Sequence, residues 1–364
     1  MEKYLIPMVP GPVSVPAEIL TAATTNYGSA DLEKDYVSLY SATEKALKKI
    51  MRTKNDVVIQ TGEGMLVLWG SLKSTLQPGD KVLAISTGIF GYGIGMMAES
   101  IGCEVKIISF DFNETINDFD IIERAIKEFK PKMITMVHCE TPSGTLNPVK
   151  EVGALKEKYG VPLLNVDAVS AIGGALVDTD KWNVDLCLGA SQKCISAPAN
   201  MSFLSVSDKA WEIIEEVAYA GYDALLPFRS AVKKRYFPYT PYWQGTAQLN
   251  KACQLLLEEG MGKVLDRHEK TATYCRERAV KMGLKLYAAE GAIMSPTVTS
   301  IYVPAKWSWS KFDAALREQG LVVGGNYERL AGKVFRIGHM GSQADMKLLK
   351  KTMDIIENVL NSKK

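Results

Sequence analysis

Between residues 41 and 207 the apolar positions alternate between two spacings, one recurring every three to four residues and the other packed into short unbroken runs. Ser41–Met51 has helical spacing, Val57-Val58-Ile59 predicts a strand, and Met65–Leu76 predicts a second helix ending at the turn Gln77-Pro78-Gly79-Asp80. Further strands are predicted at Val82–Ile85, Val105–Ile108, Met133–Val137, Pro162–Val166, Val184–Leu188 and Ser202–Val206, with helices between most of them. Short apolar strands separated by helices imply an α/β fold whose sheet is mainly parallel and covered on both faces.

Beyond about residue 245 the rhythm changes. Long helices at Gly245–Glu259 and Lys263–Met282 precede strands near Leu284–Tyr287 and Thr297–Val303, then a helix near Ser310–Gln319, a strand near Val334–Ile337 and a closing helix from about Gln343 to Leu360. This is the pattern of a smaller α+β domain. The expected division is an N-terminal arm over 1–15, a large domain over 16–250 and a small C-terminal domain over 251–364, with disorder confined to the tail Asn361-Ser362-Lys363-Lys364. A length of 364 residues exceeds the size at which single cores stop growing, which fits two domains.

Composition removes several classes of function. The 43 Lys and Arg nearly balance the 41 Asp and Glu, so the net charge of +2 offers no attraction to nucleic acid or an acidic membrane. Six cysteines, at 103, 139, 187, 194, 253 and 275, form no Cys-x-x-Cys motif, and His138, His268 and His339 lack partners at metal-ligand spacing. The start, Met1-Glu2-Lys3-Tyr4-Leu5-Ile6-Pro7, lacks a signal-peptide core, and no stretch approaches the roughly 18 apolar residues of a membrane span. A cytoplasmic protein acting on small molecules is expected, with no nucleic acid, membrane or metal.

In parallel sheets ligands collect beyond the carboxyl ends of the strands. Thr61-Gly62-Glu63-Gly64 follows one predicted strand, Asp167 ends the run Leu163-Leu164-Asn165-Val166, and Lys193 lies just after another in Gly189-Ala190-Ser191-Gln192-Lys193. A lysine and a carboxylate so placed meet the needs of a pyridoxal-type ring: the amine holds the aldehyde as a Schiff base, and the carboxylate keeps the pyridine nitrogen protonated. Taken singly, Asp167 could cap the turn at residues 168–171 and Lys193 could be a solvated surface lysine; the pairing favours the chemical reading. Val169 is placed to pack on one face of such a ring, or to serve as ordinary core.

Several motifs in register carry a resemblance. Gly11-Pro12-Val13, His138-Cys139-Glu140-Thr141-Pro142-Ser143-Gly144-Thr145, Val166-Asp167-Ala168-Val169-Ser170, Ser191-Gln192-Lys193-Cys194 and Arg336-Ile337-Gly338-His339 resemble the class V aminotransferases of the alanine-glyoxylate type over nearly the whole chain. The resemblance implies a fold-type I aminotransferase, with a large domain built on a seven-stranded sheet and a smaller C-terminal domain. It makes Lys193 the Schiff-base lysine, Asp167 the ring-nitrogen partner, Phe90 the stacking aromatic, Thr141 the hydroxyl near the ring oxygen, and Arg336 the clamp on the substrate carboxylate. Gln192, Gly62, Gly64 and Glu63 fall in the cofactor-binding segments, and Thr240 lies on one that reaches a neighbouring subunit's site, implying a homodimer or homotetramer.

One position departs from the usual pattern. The turn at Thr61–Gly64 is where such enzymes cradle the cofactor's phosphate with helix N-terminal amides, and Glu63 places a carboxylate there. Each phosphate charge held about 4 Å from that carboxylate costs on the order of 4 kcal/mol at an effective dielectric near 20, against roughly 0.3–1 kcal/mol gained from the helix dipole. In this respect, and in Phe237 standing where phosphate-binding relatives carry a tyrosine, the chain is similar to the pyridoxamine-pyruvate branch of the family, which uses free pyridoxal. The implied reaction is reversible transamination between pyridoxamine and pyruvate, giving pyridoxal and L-alanine. The alternative is a pyridoxal-phosphate-dependent alanine, serine or aspartate transaminase using glyoxylate, pyruvate or another small 2-oxo acid. That branch uses a second arginine for the carboxylate, but strict register puts Tyr327 there; Arg329, two residues on, either substitutes for it or is an exposed loop arginine. Cys194 invites a sulfur-transfer reading, yet no cysteine follows Cys275 on a C-terminal loop, where that chemistry needs it.

Overall fold

In the computed structural model, which describes residues 3–362, the chain opens with strand β1 (Ile6–Met8) and helices α1 (Ala17–Thr21) and α2 (Lys34–Met51). Strand and helix then alternate through β2 (Asp56–Thr61), α3 (Gly64–Thr75), β3 (Lys81–Ser86), α4 (Ile89–Ser100), β4 (Glu104–Ser109), α5 (Phe119–Phe129) and β5 (Met133–Val137). A small hairpin, β6 (Cys139–Glu140) with β7 (Thr145–Leu146), precedes α6 (Val149–Lys158), β8 (Leu163–Asp167), β9 (Leu186–Ala190), β10 (Met201–Val206) and α7 (Asp208–Val217).

The seven-stranded sheet has the order β2-β10-β9-β8-β5-β3-β4. Only β10 runs antiparallel to its neighbours, β2 and β9, so the expected fold-type I large sheet is present. Period-two alternation splits each strand between two cores: Leu83, Ile134 and Leu164 pack on one side, and their neighbours Val82, Met133 and Leu163 pack on the other with Trp211 of α7. Because β2, β8 and β9 point the same way, Thr61, Asp167 and Ala190 end on one edge of the sheet.

The C-terminal part contains α8 (Ala231–Lys234), α9 (Trp243–Glu259), α10 (Met261–Lys281), β11 (Thr299–Tyr302), α11 (Trp309–Glu318), β12 (Leu321–Val323), β13 (Val334–Ile337) and α12 (Met346–Asn361). Phe312, Phe335, Leu349 and Met353 form its own buried core, and Met8 joins them because β1 pairs in parallel with β12. The first strand therefore folds onto the last third of the chain and carries the segment at residues 9–12 across the sheet edge.

Two expectations need correction. The strand predicted at Leu284–Tyr287 is a single bridge, Leu286 to Ile301: the chain turns away at Ala289, whose N–H donates to the Asn113 carbonyl instead. Of the tail expected to be disordered, Asn361 closes α12 and Ser362 caps it, while Lys363 and Lys364, like Met1 and Glu2, lie outside the described residues. Among the described residues no helix is long and apolar enough to cross a membrane.

Close packing at α6 gives a test of this layering. Gly→Ala inside a helix ordinarily stabilises by roughly 0.5–1 kcal/mol, but a methyl at Gly153 would overlap the Trp182 carbonyl. Gly153→Ala is expected to lower the thermal midpoint, with a cost of about 1–3 kcal/mol from overpacking outweighing the propensity gain.

Candidate active site

The loops leaving β2, β5, β8 and β9, with the first turn of α4, enclose a cavity of about 670 Å³. Lys193 enters it from a tight turn in which the Ala197 N–H donates to the Ser191 carbonyl at 2.8 Å and the Ser196 N–H to the Lys193 carbonyl at 2.9 Å. Its Nζ donates to the Pro10 carbonyl at 2.6 Å, so the segment brought over by β1 forms the cavity's roof. Gly11, at φ +94°, has to be glycine: a methyl there would lie 2.7 Å from Nζ. Burial lowers the Lys193 pKa and the Arg336 charge lowers it further, against a smaller opposing pull from Cys139, Cys194 and Asp167. Both leading effects favour the neutral, nucleophilic amine.

Asp167 closes β8 with its Oδ1 accepting from the Val169 N–H at 2.9 Å. Burial pushes its carboxyl up to about 6, opposed by that N–H and by Lys193 and reinforced by Glu63. A carboxylate so placed attracts a cation in the cavity. Val169 lines the same wall, where a methyl on Gly64 would sit 3.1 Å from its Cγ2, so the glycine lets α3 approach closely. Phe90, in the first turn of α4, stays 40% exposed on the cavity wall. Thr141 Oγ1 lies 2.7 Å from Ser170 Oγ, and the buried Gln192 Oε1 has no hydrogen-bond partner.

Glu63 is the residue preceding α3, and its Oε1 accepts from the Met65 N–H at 3.1 Å. The neighbouring donors are engaged as well: the Gly62 N–H bonds the Asn200 carbonyl at 2.8 Å and the Leu66 N–H bonds the Glu63 carbonyl at 2.9 Å. Gly62, at φ +149°, shapes this turn from outside the cavity wall.

Not every expected residue lines the cavity. Arg336, on β13, is 4% exposed; its Nε donates to the Gly325 carbonyl at 2.7 Å, and its guanidinium carbon lies 4.6 Å from the Tyr327 ring centroid. Among the described residues no carboxylate pairs with it. Arg329 is not among the residues lining the cavity; it stacks on Phe112, which is, with its guanidinium carbon 3.2 Å from the ring centroid. Thr240 lines a separate small cavity with Thr61, Tyr239 and Phe237. Reading the sequence missed Glu140, which is fully buried and accepts from the Phe90 and Gly91 N–H groups at 2.8 and 3.2 Å. Its signal was an acidic residue directly before Thr141, just past an apolar strand. Gly11 stood in the motif Gly11-Pro12-Val13 without a role assigned to it, and Pro10 carried only the turn signal of Pro10-Gly11-Pro12.

The amine, the carboxylate and the orphaned amide oxygen of Gln192 suit a protonated pyridine bearing an aldehyde. Residues 17–332 match the Aminotransferase class-V family. The chain belongs to the class V aminotransferases. It is 37% identical to an aminotransferase of Methanocaldococcus jannaschii over 94% of this chain and 89% of the relative, and 30% identical to the pyridoxamine–pyruvate transaminase of Mesorhizobium japonicum over 93% and 87%. The crystal structure of pyridoxamine-pyruvate aminotransferase from Mesorhizobium loti superposes with a TM-score of 0.94 at 29% identity, covering 99% of this chain and 93% of that one. Class V aminotransferases depend on vitamin B6, and aminotransferase activity of this class is the activity of this chain.

The raised Asp167 carboxyl has a consequence for stability. A folded-state pKa of about 6 against an ordinary 3.8 means that the folded aminotransferase holds a proton longer, so stability falls as pH rises through that window. Asp167→Asn removes this loss. The variant's thermal midpoint, relative to the unmutated protein, is expected to rise between pH 4 and pH 8 by the equivalent of about 1–3 kcal/mol.

Proposed function

We propose that this class V aminotransferase exchanges an amino group between pyridoxamine and pyruvate, giving pyridoxal and L-alanine reversibly, and takes the vitamer as a phosphate-free substrate. The observation that carries this reading is the Glu63 carboxylate seated on the N-terminus of α3, accepting from Met65 N–H at 3.1 Å. With the Gly62 and Leu66 amides also engaged, a phosphate would have to displace the carboxylate to take the Met65 donor. Glu63 is solvent-exposed, so repulsion is nearer about 1 kcal/mol per phosphate charge at 4 Å than the value for a buried pair. Lost donors and two repelled charges together still disfavour the ester by roughly ten- to a thousandfold.

Bound in the cavity, the vitamer supplies an aldehyde that captures amines and a ring that withdraws electrons. Lys193, biased toward its neutral form, would hold the aldehyde carbon as a Schiff base with loss of water, and, when an amino acid takes its place there, the freed amine would move a proton between the substrate's alpha carbon and the vitamer's C4′. Asp167 would hold a proton on the ring nitrogen. Val169 and Phe90 supply apolar contact to the ring, and Thr141 and Gln192 offer polar contacts at its edge. Arg336, buried without a carboxylate partner among the described residues, is the group assigned to grip the substrate carboxylate, which would take over from Tyr327 as its side-chain partner. Tyr327 covers its face; Arg329, held on Phe112, is left out of this assignment. The exposed Tyr222, Tyr236, Tyr239 and Tyr242 around Thr240 form an aromatic surface suited to a second copy of the chain, so the working unit is read as a cytoplasmic homodimer or homotetramer.

A second reading has one observation in its favour: the exposed Glu63 side chain makes a single hydrogen bond and can swing aside. The protein would then be a pyridoxal-phosphate-dependent alanine, serine or aspartate transaminase acting with glyoxylate, pyruvate or another small 2-oxo acid.

Titration with each vitamer, followed by the visible absorbance of the Lys193 adduct, separates the two. Pyridoxal is expected to bind at least tenfold more tightly than its phosphate ester, and Glu63→Ser to tighten the ester by about 10- to 1000-fold. Tight ester binding by the unmutated protein sinks the phosphate-free reading. Lys193→Ala abolishes the absorbance with either vitamer. Arg336→Lys, which removes the bidentate fork, should raise KM for the amino acid by about tenfold or more while leaving vitamer affinity unchanged.

A further inference from the structure

Among the buried groups that this mechanism leaves unused, Glu140 has the least obvious reason to be there. It ends β6, is fully buried, and has no cationic partner among the described residues. Both carboxylate oxygens face the start of α4, Oε1 accepting from Phe90 N–H at 2.8 Å and Oε2 from Gly91 N–H at 3.2 Å. Burial pushes its carboxyl up to about 7, with those two N–H groups opposing the shift and Asp167 adding to it.

A helix start needs no such arrangement. A Ser or Asp at the residue before the helix caps it from solvent without burying a charge. Here that residue is Gly88, which offers no side chain, and a methyl built on it would overlap the Glu140 side chain. The first turn of α4 also carries no acidic residue of its own. The helix is thus capped only from across the cavity's back wall, by the residue adjoining Thr141. One carboxylate ties the backbone of Phe90, on one wall, to the hairpin that carries Thr141 on another. A costly buried group where a cheap local one would serve points to a requirement for relative position.

We infer that Glu140 is a positioning residue: it holds the first turn of α4 so that the Phe90 ring stands against the bound vitamer ring. The inference rests on the vitamer-binding reading above and adds to it the part that sets the stacking wall.

The test is a double-mutant cycle read by titration with whichever vitamer binds more tightly. Glu140→Gln keeps the shape but leaves one of the two N–H groups without a carboxylate acceptor, and should weaken binding by about tenfold. In a Phe90→Ala background the same change should cost less than about twofold, because the ring it positions is gone. Gly88→Ala, which presses on Glu140 from the other side, should behave likewise and serves if Glu140→Gln does not fold. Without vitamer, the Phe90 and Gly91 amides should exchange hydrogen faster in Glu140→Gln than in the unmutated protein. Equal losses in both backgrounds, or unchanged affinity in Glu140→Gln and Gly88→Ala, overturn the inference while leaving the vitamer reading intact. No adduct with either vitamer in the unmutated protein overturns both.

Discussion

Charges taken out of water without protein partners are the constraint around which this site is arranged. Lys193 and Asp167 line one cavity and Arg336 lies buried on β13 outside its lining, and burial is the first cause of the shift in each: it lowers the lysine and the arginine and raises the aspartate. A pair of opposite charges in contact would relieve this, yet Lys193 donates to the Pro10 carbonyl, Asp167 accepts from a backbone amide, and Arg336 donates to the Gly325 carbonyl. Each group is thereby held in place by uncharged backbone and left electrostatically unmatched. In the proposed reaction the partners that would match all three are a protonated ring, an aldehyde and a carboxylate, brought by the substrates.

The scaffold makes that arrangement sustainable. Parallel strands with two apolar faces bury a large surface and end together, so the polar loops gather at one edge while both cores stay dry. The roof comes from elsewhere: β1 is anchored in the C-terminal core through Met8 and its pairing with β12, and this lays Pro10 and Gly11 over Lys193. Stability of the C-terminal part and geometry of Lys193 are therefore linked through a few residues at the start of the chain.

Backbone donors decide the chemistry at the other end of the cavity. The N-terminus of a helix attracts an anion, and at α3 the chain provides that anion itself in Glu63. At α4 the anion comes from Glu140 on a neighbouring hairpin. Both helix starts border the cavity, and each holds a carboxylate, Glu63 on the Met65 amide and Glu140 on the Phe90 and Gly91 amides.

Much of this was legible in the linear chain. Apolar runs such as Met133–Val137 marked the strands because a buried parallel strand must be apolar on both faces, and Asp167 and Lys193 stood out as polar residues where such runs end. Glu63 was legible too, since capping is a local interaction between residues two apart. What the sequence could not reveal were contacts between residues far apart in it: Pro10 with Lys193, Glu140 with Phe90, Tyr327 over Arg336, and Arg329 drawn onto Phe112. By itself, then, the sequence determined the layers, the sheet edge and which polar residues, Asp167 and Lys193 among them, stand at that edge, because those follow from periodicity and local chemistry. Only the tertiary structure decided which charges stay unpaired and which backbone atoms hold them, because long-range packing sets burial and partners.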